Sequence, residues 1–174
     1  MSGDAPPGPA APAFRQELAQ LIPRLRRFAR GLTGQVADAD DLVQAALERA
    51  LVRHVQWQPG TRLDSWVFRI AHTIWLDELR SRKVRMAEPE EALERVVGDD
   101  GNRRVEARLT LDAVRRAMAH LPEEQRAVMM LVCVEGMSYK EAAEALAIPV
   151  GTVMSRLSRG RQALFAELGE GAWP

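Results

Sequence analysis

The chain has 174 residues, of which 47% are hydrophobic and 28% charged, a composition typical of a folded protein rather than a disordered one. Aromatic residues make up 5%, and β-branched residues are sparse beside Ala, Leu, Arg and Glu, which favours helices over sheets. The single cysteine excludes an internal disulfide framework and a multi-cysteine zinc site. No apolar run approaches the roughly 20 residues that cross a bilayer, and the N-terminus lacks the features of a signal peptide. We therefore expect a cytoplasmic protein with no membrane insertion of its own.

Charge is distributed unevenly, although the 24 basic and 24 acidic residues cancel. Residues 14–86 carry 13 basic and 8 acidic side chains, a net charge of +5. Residues 87–101 carry 1 basic and 6 acidic side chains, a net charge of −5. Residues 102–174 carry 10 basic and 9 acidic side chains, a net charge of +1. This division into a basic block, an acidic connector and a near-neutral block says more about possible binding partners than the net charge of the whole chain does. Nearly all the cations are arginines, which suit phosphate and base contacts, although a GC-rich genome would also enrich them.

The first half of the chain predicts three helices after a tail. Residues 1–13 hold four prolines among small residues and are predicted to be a disordered tail. Apolar residues then recur at spacings of three and four, and Pro23 within this run predicts either a kink or the start of a second helix. The predicted helices cover residues 14–32, 38–54 and 62–83. A Pro-Gly turn signal marks the loop before the third of them.

The second half predicts four more helices beyond a linker. Residues 87–104 are acidic, contain proline and glycine, and show no core pattern, so they are predicted to be a flexible linker. The helices that follow are predicted over residues 105–121, 122–134, 138–146 and 150–165, and residues 169–174 are predicted to be a tail. The predicted fold is all-α, with two small helical domains, 14–86 and 105–168, joined by the flexible acidic linker.

Residues 138–161 have the layout of a helix-turn-helix. Ser138 and Glu141 have the spacing of a capping box, and Pro149 pre-sets the first turn of the next helix. That next helix turns an apolar stripe inward, and its remaining faces carry Thr152, Ser155, Arg156, Arg159 and Arg161. A helix of this kind presents polar and arginine side chains to a major groove. The alternative is an ordinary helical hairpin with a solvated arginine face.

The third predicted helix carries a basic stripe beside its apolar face. The stripe consists of Arg62, Arg69, Thr73 and Arg80. These residues are spaced seven, four and seven apart, which places them about 110° around the helix from the apolar stripe. Trp66 lies between the two stripes, and Trp57 lies in the preceding loop. Cations beside aromatic rings suit single-stranded nucleic acid, because cations track the backbone and rings stack on bases. The alternative is a solvated arginine face beside core tryptophans.

The second predicted helix suits a protein partner better than DNA. Its first turn contains Asp38, Asp40 and Asp41, where the helix dipole favours acidic residues. The face that follows contains Leu42, Gln44, Ala45, Leu47 and Glu48. The alternative is an amphipathic helix with a charge cluster at its N-terminus.

Catalysis is poorly supported. The three histidines have no metal-like spacing with one another or with Cys133. Cys133 lies in the apolar run 129–134, and this pattern predicts a buried core thiol. No convergent pair of carboxylates and no phosphate-cradling glycine motif is present. We expect no catalytic residue, no metal site and no cofactor, and therefore not an enzyme.

Six short motifs occur in an order and at separations that are typical of one family. They are DADDLVQ (38–44), SWVFRIA (65–71), DELR (77–80), LPEEQR (121–126), GMSYKEA (136–142) and GTVMSR (151–156). Together they resemble the extracytoplasmic-function (ECF) sigma factors, the small two-domain specificity subunits of bacterial RNA polymerase. The resemblance covers residues 14–168. It implies that residues 14–86 form the region-2 domain and residues 105–168 the region-4 domain.

The resemblance also implies three functional faces. The polymerase-docking face, which would bind the coiled coil of the largest subunit, consists of Asp38, Asp40, Asp41, Leu42, Gln44, Ala45, Leu47 and Glu48. The −10 face, which would open and read the −10 promoter element, consists of Trp57, Gln58, Arg62, Trp66, Arg69, His72, Thr73 and Arg80. The −35 face, which would read the −35 element, consists of Tyr139, Lys140, Gly151, Thr152, Ser155, Arg156, Arg159 and Arg161. The implied partners are RNA polymerase core, promoter DNA and an anti-sigma factor.

The chain departs from the family pattern at three places. His72-Thr73 stands where the family often has Arg-Asn, and Met154 stands where a basic residue is common. Ala147 occupies the helix-turn-helix turn, where glycine is usual and a left-handed conformation would strain alanine. Two other classes stay open. A helix-turn-helix regulator would not need the basic stripe, and a sigma-like decoy would lose the arginines of both DNA faces.

Overall fold

The structure is a computed structural model that describes residues 10–86 and 105–169, and every regular element in these ranges is helical. The seven α-helices are α1 (Pro12–Thr33), α2 (Val36–Val52), α3 (Leu63–Met86), α4 (Val105–His120), α5 (Glu123–Met129), α6 (Tyr139–Leu146) and α7 (Val150–Leu168). A 3-10 turn, His54–Gln56, follows α2, and a π-helical turn, Met130–Val134, continues α5. The all-α prediction is confirmed. Among the described helices, none has both the length and the hydropathy to cross a membrane.

Helices α1, α2 and α3 form the first half of the molecule. Helix α1 runs without interruption through Pro23, so the alternative of a second helix starting there is wrong. It begins at Pro12, inside the segment predicted to be a tail, and Ala10 before it is also buried. The centre of this half is apolar, and the rings of Phe28 and Phe68 meet edge to face with their centroids 5.0 Å apart. Burial of this apolar face holds α1, α2 and α3 together.

Helices α4 to α7 form the second half. The buried side chains at its centre are Ala117, Leu121, Val128, Leu131, Ala142, Leu146, Val153, Leu157 and Leu164. Arg126 fastens α5 to the end of α4, because its Nη2 donates to the carbonyl oxygens of Ala119 and Leu121 at 3.0 and 2.9 Å. Its Nη1 donates to the carbonyl oxygen of Leu32 in α1 at 2.7 Å. Arg126 therefore also links the second half to the first.

The helix-turn-helix has the local features that its sequence predicts. Ser138 caps α6, with its Oγ accepting from the Glu141 amide at 3.3 Å while the Glu141 carboxylate accepts from the Ser138 amide at 2.7 Å. This capping box is confirmed. Ala147 lies in the left-handed region at φ 54° and ψ 45°, between α6 and α7. The strain expected at this alanine is therefore present in the fold.

Cys133 is exposed, so the prediction of a buried core thiol is wrong. The physical reason is the π-helical turn, which is wider than an α-helical turn and shifts the side chains after it around the helix axis. Met130 and Leu131 at its start remain buried, whereas Cys133 and Val134 at its end point outward. Residues 129–134 are all apolar or weakly polar, but the last two of them, Cys133 and Val134, are therefore not part of the buried face.

The two halves pack against each other through α1 and α3 of the first half. Helix α3 contacts α6, and α1 contacts α4, α5 and the π-helical turn. At one point the approach is close: a Cβ on Gly31 of α1 would lie 2.2 Å from the sulfur of Met130. Residues 87–104, predicted to be the flexible linker, lie outside the described residues, as do residues 1–9 and 170–174. The interface between the halves was not predicted from the sequence.

Candidate functional site

The basic stripe of α3 lies along the interface between the two halves. Arg62 and Arg69 point toward α6, and Thr73 follows on the same side of the helix, where its hydroxyl donates to the carbonyl oxygen of Arg69 at 2.9 Å. Arg80 lies further along α3 and pairs with Asp77 at 3.0 Å in an exposed position. The predicted stripe thus begins at Arg62, the residue before α3, and α6 bonds to Arg62 and Arg69 while both remain exposed.

Oxygen atoms of α6 pair with Arg62 and Arg69. The Arg62 guanidinium pairs with the Glu141 carboxylate, and it also donates to Asp64 through Nε at 3.0 Å and Nη2 at 2.6 Å. The Nε of Arg69 donates to the carbonyl oxygen of Glu144 at 3.0 Å, and its Nη2 contacts the same oxygen. The same Glu141 carboxylate thus completes the capping box of α6 and pairs with Arg62, the residue before α3.

A second ionic cluster joins α1 to the residue that follows the π-helical turn. The carboxylate of Glu135 has no exposed surface, and it accepts from Arg24 Nε at 2.9 Å and from Arg27 Nε and Nη2 at 3.0 and 3.1 Å. Arg24 in turn donates to Asp64 at 2.9 Å. Burial alone would raise the pKa of Asp64, but hydrogen bonds from Arg62, Arg24 and the Ser65 amide lower it to about 2.

Phe14 of α1 lies between the two tryptophans of the −10 face. Its ring centroid is 5.6 Å from that of Trp57 and 6.3 Å from that of Trp66. Both tryptophans are half-buried against the core, and the Nε1 of Trp57 is buried with no partner among the described residues. Gln58 is exposed, and its carbonyl oxygen accepts from the Thr61 hydroxyl at 2.7 Å. The rings therefore pack partly as core tryptophans, the alternative that the sequence left open.

His72 was predicted to belong to the −10 face, but its side chain is buried. Burial, and after it the charge of Arg156 in α7, lower the pKa of His72 to about 4. Its Nε2 has no hydrogen-bond partner among the described residues. In this arrangement His72 is a neutral interface residue between α3 and the C-terminal half, and it is not available to contact DNA.

The polymerase-docking face lies on α2, away from α6 and α7. Asp40, Asp41, Gln44 and Glu48 are exposed, and Asp38, Ala45 and Leu47 are half-buried. Leu42 has no exposed surface, so it belongs to the core and not to this face. Asp38 pairs with Arg82 at 3.3 Å, Asp40 pairs with Arg26 at 3.6 Å, and Gln44 donates to Glu48 at 3.0 Å. The structure therefore keeps an acidic and polar surface on α2.

The −35 face divides between two sides of α7. Gly151, Ser155 and Arg159 are exposed, Thr152 is half-buried beside them, and Arg159 donates to the Ser155 carbonyl at 3.3 Å. Arg156 is 19% exposed and pairs with Glu124 of α5 at 2.6 Å, so it is partly withdrawn from this face. Arg161 lies on the opposite side of α7, with its Nη2 4.0 Å from the sulfur of Cys133. Tyr139 and Lys140, at the start of α6, are exposed.

No group of His, Cys, Asp or Glu in residues 10–86 and 105–169 has the arrangement of a metal site. The family model of sigma-70 region 4 matches residues 111–164, and that of the sigma2 domain of PhyR matches residues 18–72. The ECF RNA polymerase sigma factor EcfG of Rhodopseudomonas palustris is 33% identical over 160 residues, which cover 92% of this chain and 87% of the relative. The chain belongs to the ECF RNA polymerase sigma factors.

Further similarities agree with this family. SigE of Mycolicibacterium smegmatis, an ECF RNA polymerase sigma factor, is 36% identical over 159 residues, covering 89% of this chain and 61% of the relative. Among solved structures, the sigma factor RpoE of Bartonella quintana in complex with the anti-sigma factor NepR has a TM-score of 0.81 at 28% identity. That similarity covers 92% of this sigma factor and 99% of the other chain. The likeness extends over both halves in one superposition.

Sequence reasoning missed the residues that join the two halves. Glu135, Arg24 and Arg27 carried no signal, because pairing between residues more than 100 positions apart leaves no local pattern. Glu141 was found as a capping residue, but its second role as the partner of Arg62 was not. Family membership also predicts no catalytic residue in this sigma factor, and it is not an enzyme.

Proposed function

We propose that this sigma factor brings RNA polymerase core to specific promoters and that its two halves divide the work. Helix α2 docks on the polymerase, the segment 57–80 opens and reads the −10 element, and α6 with α7 reads the −35 element. The observation that carries the proposal is that both halves match sigma-factor regions and both retain their arginines. A sigma-like decoy would not need to keep these arginines.

The docking of α2 is supported by its exposed acidic and polar residues. Asp41 and Gln44 project from the surface of α2, whose opposite side is buried in the core. Replacing both by alanine should weaken the capture of core polymerase without unfolding the chain. Glu17→Ala on the exposed side of α1 is the matched control and should leave capture unchanged. Equal capture of the double variant and the unchanged protein would contradict this assignment.

The −10 role of α3 is supported by the alignment of its cations. Arg62, just before α3, and Arg69 and Arg80 within it are exposed, with the half-buried Trp66 between the first two in sequence, and such a surface suits a separated DNA strand. Arg69→Ala should slow promoter opening and make it less steeply dependent on salt, because fewer phosphates are neutralised. Permanganate footprinting on linear and pre-melted templates checks this. If a pre-melted bubble does not rescue the variant even partly, α3 is not the melting element.

The −35 role of α7 is supported by the exposure of its polar face. Ser155 and Arg159 lie on the solvent side of a helix whose other side packs on α5 and α6. Helix α7 follows the turn at Ala147 as the recognition helix of a helix-turn-helix follows its turn. Arg156 would join this face once it leaves Glu124. Changes at these positions should reduce transcription that depends on a −35 element.

A partner and a location follow from the same proposal. The related RpoE was solved with an anti-sigma factor, and we propose that this sigma factor also has one. It would act in the cytoplasm, where polymerase and promoters are. Run-off transcription with core polymerase on a genomic library tests the whole proposal. Specific start sites support it, and transcription no different from that of core polymerase alone overturns it.

A further inference from the structure

Two large apolar side chains are exposed in the first two turns of α7. Val150 is 40% exposed and Met154 is 54% exposed. Because they are four positions apart, they are neighbours on one side of the helix. The core of this half is held by other residues of α7, among them the buried Val153 and Leu157. The exposed pair, which we call the apolar edge, is therefore not required for packing.

The polar residues of the −35 face lie beside the apolar edge. Gly151 and Ser155 each follow a residue of that edge directly in sequence, so they lie about 100° further around the helix. The Ser155 hydroxyl donates to the carbonyl oxygen of Thr152 at 3.1 Å, and Arg159 donates to the carbonyl oxygen of Ser155 at 3.3 Å. A Cβ on Gly151 would meet no atom within 4 Å, so the surface there is open. The solvent face at the start of α7 thus has a polar side and an apolar side.

The major groove of DNA offers one kind of apolar group to such an edge. Base edges present hydrogen-bond donors and acceptors there, and thymine adds its 5-methyl group. The side chains of Met154 and Val150 carry no hydrogen-bond donor. Against a base donor or acceptor they would displace water without supplying a bond, which costs free energy, whereas against a methyl group they bury apolar surface, which is favourable. Methionine is also unbranched and flexible, so it can adapt to the position of the methyl group.

We propose that Met154 and Val150 contact the 5-methyl group of a thymine in the −35 element, so that the apolar edge of α7 selects a T·A pair while Ser155 and Arg159 make the polar contacts. This inference rests on the proposed −35 role of α7. The N-terminal residues of a recognition helix are those that contact base edges, and the apolar edge lies in the first two turns of α7. Both side chains are already exposed, so neither has to leave the core to reach a groove.

The test removes methyl groups from the DNA and apolar side chains from the protein. Holoenzyme assembled from core polymerase and the full-length sigma factor is bound to a promoter duplex on which run-off transcription gives a specific start. Each thymine of the −35 element is replaced in turn by deoxyuridine, which lacks the 5-methyl group and keeps the hydrogen-bonding groups of thymine. Competition binding gives the affinity for each duplex. The series is repeated with Met154→Ala and with a control variant, Phe165→Ala.

Phe165 is a matched control because it is another large exposed apolar side chain of α7. It is 51% exposed and lies about three turns beyond Met154, away from the N-terminal turns that contact base edges. It belongs to none of the three proposed functional faces. Since Met154 and Phe165 are both exposed, both alanine variants should remain folded, and thermal unfolding checks this. The deoxyuridine duplexes themselves test the contact without any change in the protein.

With the unchanged sigma factor, deoxyuridine at one thymine should weaken binding roughly three- to fivefold, the factor expected when one methyl-sized apolar group is no longer buried. Met154→Ala should bind the thymine and deoxyuridine duplexes almost equally. Phe165→Ala should keep the full difference. Met154→Lys should change the preference at that pair from T·A to G·C, because lysine donates to the O6 and N7 of guanine.

The proposal is overturned if no thymine of the −35 element responds to the loss of its methyl group, or if the response persists when Met154 and Val150 are both replaced by alanine. It is also overturned if Met154→Ala lowers transcription equally on thymine and deoxyuridine promoters, because the side chain would then contact the polymerase. Failure of the proposed −35 role gives a different result. In that case Ser155→Ala and Arg159→Ala would leave transcription from promoters with a −35 element unchanged.

Discussion

Helices α3 and α7 both carry arginines proposed to contact DNA, yet the packing of the two halves leaves these arginines with different partners. Arg69 of α3 and Arg62, the residue before α3, are bonded to the C-terminal half although both are exposed, and His72 is buried. On α7, Ser155 and Arg159 face solvent. The difference shows that a basic stripe in a sequence does not tell which of its arginines is bonded to another part of the chain.

The largest expected effect is the pH dependence of the free energy of unfolding that arises from His72, on the side of α3 that faces the second half. Because the folded pKa of His72 is about 4 and its ordinary value is about 6.5, protonation disfavours the state that buries it. Its contribution to the stability of the fold is fully present above pH 6.5 and falls by about 3 kcal/mol as the pH drops to 4. Urea unfolding of His72→Gln should lack this part of the pH dependence. His120→Gln, an exposed histidine of α4, should retain it, and an unchanged slope in His72→Gln would refute the assignment.

A second variant, in α7, tests whether the exposed arginine there acts independently of the contacts between the two halves. Arg159→Ala should weaken binding to a −35 duplex by about 1–3 kcal/mol if the side chain makes a bidentate base contact. Since Arg159 is exposed, the loss should be the same in a Glu141→Gln background, in which the pairing with Arg62 is weakened. Fluorescence anisotropy in both backgrounds measures this. A loss that differs by more than about 0.5 kcal/mol between backgrounds would show that the −35 face is coupled to that pairing.

The start of α3 provides a third test. The pKa of Asp64 is about 2, below its ordinary value, so its charged form stabilises the fold. The contribution is about 2 kcal/mol above pH 4 and is lost as the pH falls through 2. Asp64→Asn should therefore lower the free energy of unfolding by this amount at pH 7. Asp77→Asn, whose exposed pair with Arg80 lies within one turn, should cost less than 1 kcal/mol. Equal losses in the two variants would show that the Asp64 network is worth no more than a surface pair.

The smallest effect lies in the turn before α7. Ala147 is exposed and has a positive φ, so Ala147→Gly should raise the free energy of unfolding by about 0.5–1 kcal/mol. The same substitution at Ala166, an exposed position inside α7, should lower it by about 1 kcal/mol. Thermal unfolding of both variants checks the opposite signs. A destabilised Ala147→Gly would mean that the turn is not strained.

The sequence predicted the features whose causes are local. The periodicity of α3, the capping box of α6 and the strained turn at Ala147 each depend on neighbouring residues, and each is found in the structure. The arginine stripe was also predicted, because a spacing of seven, four and seven follows from helix geometry. The exposed acidic residues of the α2 face follow from the same periodicity.

The features that were missed depend on distant residues or on a change of helix type. Arg24 and Glu135 are 111 positions apart, and nothing local marks them as partners. Cys133 was misplaced because the π-helical turn breaks the α-helical period used to predict burial. Leu42 was placed on the docking face from its motif, although its position on α2 is buried.

The ionic groups of the stripe have a consequence for the cost of separating the halves. When Arg62 leaves Glu141, it still has Asp64, and Glu141 still accepts from the Ser138 amide. Arg24, on leaving Glu135, likewise keeps Asp64. Removing one partner of a buried pair is costly because a charge is left uncompensated. Arg62, Glu141 and Arg24 each retain a bond within their own half, whereas the covered Glu135 carboxylate gives up its three bonds to Arg24 and Arg27. The cost of separating the halves therefore lies at Glu135, while at Arg62 a phosphate oxygen can take the position that Glu141 vacates.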